Sequence, residues 1–342
     1  MEKWILQSNP IKNDCLDYTY FYMKWGDSKY PEISAHWYTT IPTGCTFQKE
    51  VYWREFKKKI IICGEMSFNN TIRLTEIDKP ERTVRNTSLL KSLLQKAIRR
   101  KNTRSALLSA YELMNRDIVQ FLRRMPIIML EDAFIHPSIN NVIWFMAASP
   151  HIRLDSNHKS YILGIIYEMC VLDYRHPIIQ KEESTSIIKY ISKSNHISDY
   201  FRNIVLSLYL RKSFGGMKSD MKMINGFIDE LLPNIYRDHT FHKIKHIKIH
   251  DTLKYSDILQ SSADFHCFPK ILDDIRKHHM EYTLDEIKQS IWIYSSSIRY
   301  KYIINELENQ SHESSDYDKI WTNIKPTYDR YAKKYIYKSF RT

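Results

Sequence analysis

Six basic side chains and no acidic one fall between Lys91 and Arg104, in the stretch KSLLQKAIRRKNTR. Ammonium and guanidinium groups at that density neutralise phosphate, holding a nucleic-acid backbone without reading its bases. A second cationic stretch, residues 325–342, has six basic and one acidic side chain interleaved with tyrosines. There aromatic faces could stack on unpaired bases while cations hold phosphates. The candidate contacts are therefore Lys91, Lys96, Arg99, Arg100, Lys101 and Arg104, with Tyr331, Lys333, Lys334 and Tyr335 as a secondary set. A structural role competes in each case. Arg99, Arg100, Arg123 and Arg124 could pair with Glu131 and Asp132 to join packed helices, and the tyrosines could be buried beneath snorkelling lysine stems.

Imidazoles concentrate in Asp238-His239-Thr-Phe-His242-Lys-Ile-Lys-His246-Ile-Lys-Ile-His250-Asp251. On a helix these four histidines would lie within about 60° of arc, and two neighbours with a distant carboxylate could seat Zn²⁺. IKHIKIHD reads equally well as a strand of alternating charge, and the glutamate of HExxH is absent. Asp264-Phe265-His266-Cys267-Phe268-Pro269 adds a carboxylate, an imidazole and a thiol within four residues. His239, His242, Asp264 and His266 are the candidate metal ligands of a metal-dependent hydrolase. Cys267 in its aromatic setting reads as a small buried hydrophobe.

Phosphate-loop chemistry has no support. GxxxxGK[ST] does not occur, and Gly215-Gly216-Met217-Lys218-Ser219 lacks both the first glycine and a preceding buried strand. No nucleophile–base–orienter set is assembled by spacing, so no cofactor and no catalytic residue is assigned.

Helices must carry most of these groups. Leu89/Leu90, Leu93/Leu94 and Ala97/Ile98 recur every four residues, with Thr87 or Ser88 as N-cap. Ala106, Leu107, Ala110, Leu113 and Met114 define a second helix capped by Asn102 or Thr103. Asp117 caps a third, interrupted at Pro126. Helices are further expected near 139–148, 157–172, 184–193, 197–214, 217–232, 252–280 and 283–308, with a last basic helix to residue 340. Residues 1–78 differ: they hold four of the seven tryptophans and alternate aromatic with polar side chains, predicting four or five short strands. The expected fold class is mainly α, a small strand-rich N-terminal module (1–78), a connector (79–87) and a large irregular multi-helix body (88–342).

The segment from Leu89 to Pro137 resembles the C-terminal helical domain of clamp-loader-like AAA ATPases of the MgsA/RarA and Werner-helicase-interacting-protein type. The resemblance rests on Leu94-Gln95-Lys96-Ala97-Ile98-Arg99-Arg100, Ala106 and Ala110, Leu122-Arg123-Arg124, Ile127-Ile128 and Glu131-Asp132. It implies an all-α, subunit-assembling element from proteins acting at stalled replication forks. Without a phosphate loop, ATPase activity is not implied.

Charge sets the sign of the partner. Net charge is +12 with 43% hydrophobic residues, enough for a sizeable core and favourable to anionic partners. Seven glycines are few for 342 residues, which disfavours turn-dense all-β architecture. Abundant Ile, Tyr, Lys and Asn follow the codon bias of AT-rich genomes, such as those of parasites and large DNA viruses. Five cysteines without a CxxC pair argue for reduced intracellular thiols, cytoplasmic or nuclear. No 18-residue apolar run suggests a membrane span. The expected function is a non-enzymatic, nucleic-acid-associated helical scaffold of weak sequence specificity in a replication, repair or RNA-processing assembly. The alternatives are a protein-interaction adaptor in a translation or virion assembly, with protein partners or further copies of the chain, and the metal-dependent hydrolase.

Overall fold

Alternating aromatic and polar residues at the front of the chain form strands, as their period requires. The computed structural model describes residues 17–25, 33–65, 84, 86–172, 199–228, 244–297 and 316–340. Its strands are β1 (Tyr20–Trp25), β2 (Ile33–Tyr38), β3 (Phe47–Trp53) and β4 (Lys58–Gly64). They make one mixed sheet in the order β2-β1-β4-β3, parallel only between β1 and β4.

Ten α-helices follow among the described residues. They are α1 (Thr87–Arg99), α2 (Thr103–Arg116), α3 (Ile118–Asp132), α4 (Ile139–Ala148), α5 (Ser156–Val171), α6 (Asp199–Ser213), α7 (Lys218–Gly226), α8 (Ile271–Arg276), α9 (Leu284–Ile291) and α10 (Asp316–Phe340). The protein is mainly α with a small N-terminal sheet, the class its composition and periodicity imply. None of these helices is long and apolar enough to cross a membrane.

Two compact units divide the chain differently from its linear order. The first comprises Met1–Glu76, Leu122–His158 and Tyr174–Lys243; the second comprises Ile77–Phe121, Lys159–Asp173 and Ile244–Thr342. The physical reason for the first lies in its sheet. β2 is an edge strand, whose outward backbone groups need partners. Side-chain amides supply them: Ala35 N–H donates to Asn141 Oδ1 at 2.7 Å, Trp37 N–H to Asn203 Oδ1 at 2.6 Å, and Asn141 Nδ2 donates to the Ile33 carbonyl at 3.0 Å. The Trp144 indole N–H reaches the carbonyls of Phe21 and Cys63, both at 3.0 Å, across the β1/β4 pair. On the buried face the rings of Phe21 and Trp37 stack at 4.4 Å, and those of Trp37 and Trp53 at 4.7 Å. Helical residues from later in the chain thus complete the front sheet, which is why the first unit draws on three stretches of sequence.

In the second unit α1 and α2 form a hairpin. Asn86 caps α1, accepting from Ser88 N and Leu89 N, in place of the expected Thr87 or Ser88. Asn102 caps α2. Between them Lys101 takes a left-handed conformation at φ 56°, while Asn102 N–H returns to the Ala97 carbonyl at 2.8 Å. Leu89, Leu90, Leu93, Leu94, Ala97 and Ile98 are all fully buried. Along α5, Gly164 lets another segment cross: a Cβ there would lie 2.1 Å from the Lys245 carbonyl oxygen.

Several local expectations are corrected. Pro126 sits inside α3 instead of interrupting it, because Met125, Ile127 and Ile128 are fully buried and their packing outweighs one lost backbone bond. Residues 252–280 hold only two 3₁₀ turns, at Tyr255–Asp257 and Gln260–Ser262, before the short α8. Ile244–His250 is neither helix nor strand. Residues 184–193 lie outside the described residues.

Candidate nucleic-acid interface

The α1 cations turn largely inward. Lys96 is 4% exposed, and its Nζ lies 2.6 Å from Asp264 Oδ2 and 2.9 Å from Ser92 Oγ. Arg99 donates to the Ser296 carbonyl. Arg100 donates to Ser261 Oγ and the Ser295 carbonyl. Arg104 donates to Asp257 Oδ1 and Asp251 Oδ2, each at 2.9 Å. Lys91 donates to Gln120 Oε1 at 2.9 Å, and Lys101 occupies the turn. Reading this stretch as a row of outward phosphate contacts is therefore corrected for Lys96, Arg99 and Arg100, whereas Arg104, in α2, keeps its side chain 54% exposed beside Asp251 and Asp257. A helix whose apolar positions are buried almost all round leaves its long cations to reach carbonyls and carboxylates of neighbouring segments.

Asp264 is the centre of that inward network. Its carboxylate, fully buried, accepts from Lys96 Nζ at 2.6 Å, Ser296 Oγ at 2.6 Å, His266 N at 2.9 Å and His266 Nδ1 at 3.0 Å. Burial alone would raise its pKa; the His266 hydrogen bond and the Lys96 ammonium reverse this and hold it below the usual carboxylate range. Burial pushes the Lys96 ammonium down from its ordinary value, and Asp264 offsets this only in part. Cys267 beside it donates to the Ser262 carbonyl at 2.9 Å, and burial pushes its thiol up to about 12. That is a structural thiol, not a nucleophile.

The arginines of α3 behave similarly within the first unit. Arg124 lies 3.3 Å from Asp220 and 4.0 Å from Glu131. Arg123 donates to the Phe214 carbonyl at 2.8 Å, and Arg211 to the Gly215 carbonyl at 2.8 Å. Gly215–Met217 therefore joins α6 to α7 with the Gly215 carbonyl facing two guanidinium groups, the opposite polarity from a phosphate cradle.

Helix α10 presents its cations outward. Its buried stripe is Ile320, Ile324, Tyr328, Ala332, Ile336 and Ser339. Across from the C-terminal part of that stripe, Arg330, Lys333, Lys334 and Lys338 are exposed and fall within roughly 140° of helical arc. Tyr337 lies among them, 52% exposed. The secondary candidates divide. Lys333 and Lys334 lie on this face, and Tyr331 lies beside it with its hydroxyl 3.2 Å from His278 Nε2. Tyr335 is a structural residue: it donates to the Cys267 carbonyl at 2.7 Å, accepts from Asn86 Nδ2, and stacks on Phe268 at 4.6 Å. Arg330, Tyr337 and Lys338 were missing from the sequence candidates, although spacing of three, four and eight residues from Arg330 marks one helix face.

Of the metal candidates, Asp264 and His266 meet, with Nδ1 3.0 Å from the carboxylate. His239 and His242 lie outside the described residues, and among those described no group of three or more His, Cys, Asp or Glu is placed to hold a metal ion. His246 and His250 are exposed on the irregular segment, while His266 points to solvent from Asp264. Comparison of the chain with protein-family models, curated proteins and solved structures found no match.

Proposed function

We propose that the chain is a non-enzymatic, nucleic-acid-associated helical scaffold, holding the phosphate backbone on the outward face of α10 and serving a replication, repair or RNA-processing assembly. The observation that carries this reading is the exposed set Arg330, Lys333, Lys334 and Lys338 on one face of a helix whose opposite face is buried. Such a face contributes phosphate contacts without base readout. The net charge of +12 favours the same partner, and the likeness of residues 89–137 to fork-associated helical domains supports the choice of assembly.

The test is fluorescence polarisation with a labelled duplex at several salt concentrations. Four phosphate contacts give a slope of log affinity against log salt of about −3.6 on duplex. Replacing Arg330, Lys333, Lys334 and Lys338 by alanine together flattens that slope by about the same amount. Binding that ignores ionic strength, or is unchanged by the fourfold variant, rejects the proposal.

A further inference from the structure

We infer that Trp292, His266, Phe265 and Lys288 form a binding site for one unpaired nucleotide. This rests on the nucleic-acid reading and specifies its substrate as single-stranded. The four side chains come from two segments of the second unit. Lys288 in α9 and Trp292 immediately after it are four residues apart and share a helical face, both exposed. His266 and Phe265 come from the loop before α8, with ring centroids 4.3 Å apart. The His266 ring lies 6.0 Å from the Trp292 ring, and Lys288 Nζ lies 5.8 Å from the Phe265 centroid. Trp292 is 38% exposed, and the His266 side chain 52%.

Indole and phenyl faces beside an ammonium are what a stacked base with its adjoining phosphate requires. His266 adds a directed polar atom. Its Nδ1 faces the buried Asp264 carboxylate, which can only accept, so Nδ1 donates and Nε2 lies on the side of the ring away from that carboxylate. A ribose hydroxyl, which both donates and accepts, is a matching partner for that nitrogen. Lys96 and Ser296 hold Asp264 from behind, so they are positioning residues for this ring and do not touch the nucleotide. The cation that sequence spacing assigns to phosphate thereby orients an imidazole instead.

The site discriminates single strands, whose bases are free to stack, from duplex, whose bases are not. The experiment compares binding of the full chain to a labelled oligouridylate and to a blunt duplex of equal phosphate number. The expected result is tighter binding to the single strand, lost about tenfold in Trp292→Ala and largely kept in Trp292→Phe, with duplex binding unchanged in both. His266→Ala weakens single-strand binding alone. If both ligands bind equally and Trp292→Ala alters neither, this inference is overturned while the phosphate-binding reading stands. If neither ligand binds at low salt, both fall.

Discussion

Lys96 and Asp264 form a buried ion pair at 2.6 Å, with side-chain exposures of 5% and 0%, although 168 residues separate them in the chain. Removing one partner strands the other charge in the interior. Lys96→Met or Asp264→Asn alone should destabilise the second unit by about 3–5 kcal/mol. The Lys96→Met/Asp264→Asn double variant should lose less than the two single losses added together, because it leaves no unpaired buried charge. Urea denaturation of the four variants in a thermodynamic cycle measures the coupling, and purely additive losses would contradict the pairing.

The same carboxylate sets an acid limit. A group held below its unfolded value takes up its proton more readily when the chain unfolds, so its stabilisation is present above about pH 4 and fades as pH falls toward the folded value. Asp155 acts in the same sense in the first unit, where the His158 hydrogen bond lowers it to about 2. Unfolding free energy should decline as the solution is acidified from about pH 5 to pH 2, with a shallower decline in Asp264→Asn. Denaturant melts across that range provide the comparison.

Lys101 occupies left-handed backbone space at φ 56°, where a side chain costs about 1 kcal/mol. Lys101→Gly should relieve that strain and raise stability by up to about 1 kcal/mol, despite greater freedom in the unfolded chain. A lowered melting temperature would show that the lysine's contacts outweigh the strain.

Gly164 tests the close crossing on α5. An alanine would favour the helix, yet its Cβ would meet the Lys245 carbonyl oxygen at 2.1 Å and Ile244 Cγ2 at 2.7 Å. The backbone has to move, so Gly164→Ala should cost about 2 kcal/mol or more. Thermal unfolding of the variant at or above the wild-type midpoint would contradict this packing.

How much of this was legible in the sequence depends on where each cue is local. The α1–α2 hairpin could be read because leucine spacing and an Asn cap are properties of neighbouring residues. The strands could be read from their alternation. The destination of Lys96 could not, since the carboxylate that captures it lies in a loop read as part of a helix. Nor could the cover of β2, which depends on Asn141 and Asn203, residues that look like ordinary polar positions on their helices. The basic face of α10 was only partly legible: the charge run was evident, but the assignment included Tyr335, which packs inward, and omitted Arg330 and Lys338.

The amides that cover β2 have a consequence for biosynthesis. Trp37 N–H waits for a partner 166 residues further along, and Ala35 N–H for one 106 residues further. At a translation rate of roughly 5–20 residues per second, the strand's bare margin persists on the order of ten seconds on each ribosome. Through that interval its backbone can pair with any extended segment nearby, including the same strand on the next nascent chain of a polysome. Chaperone demand and co-translational aggregation should therefore be greatest in chains truncated before Asn141 and fall away in those that extend past Asn203.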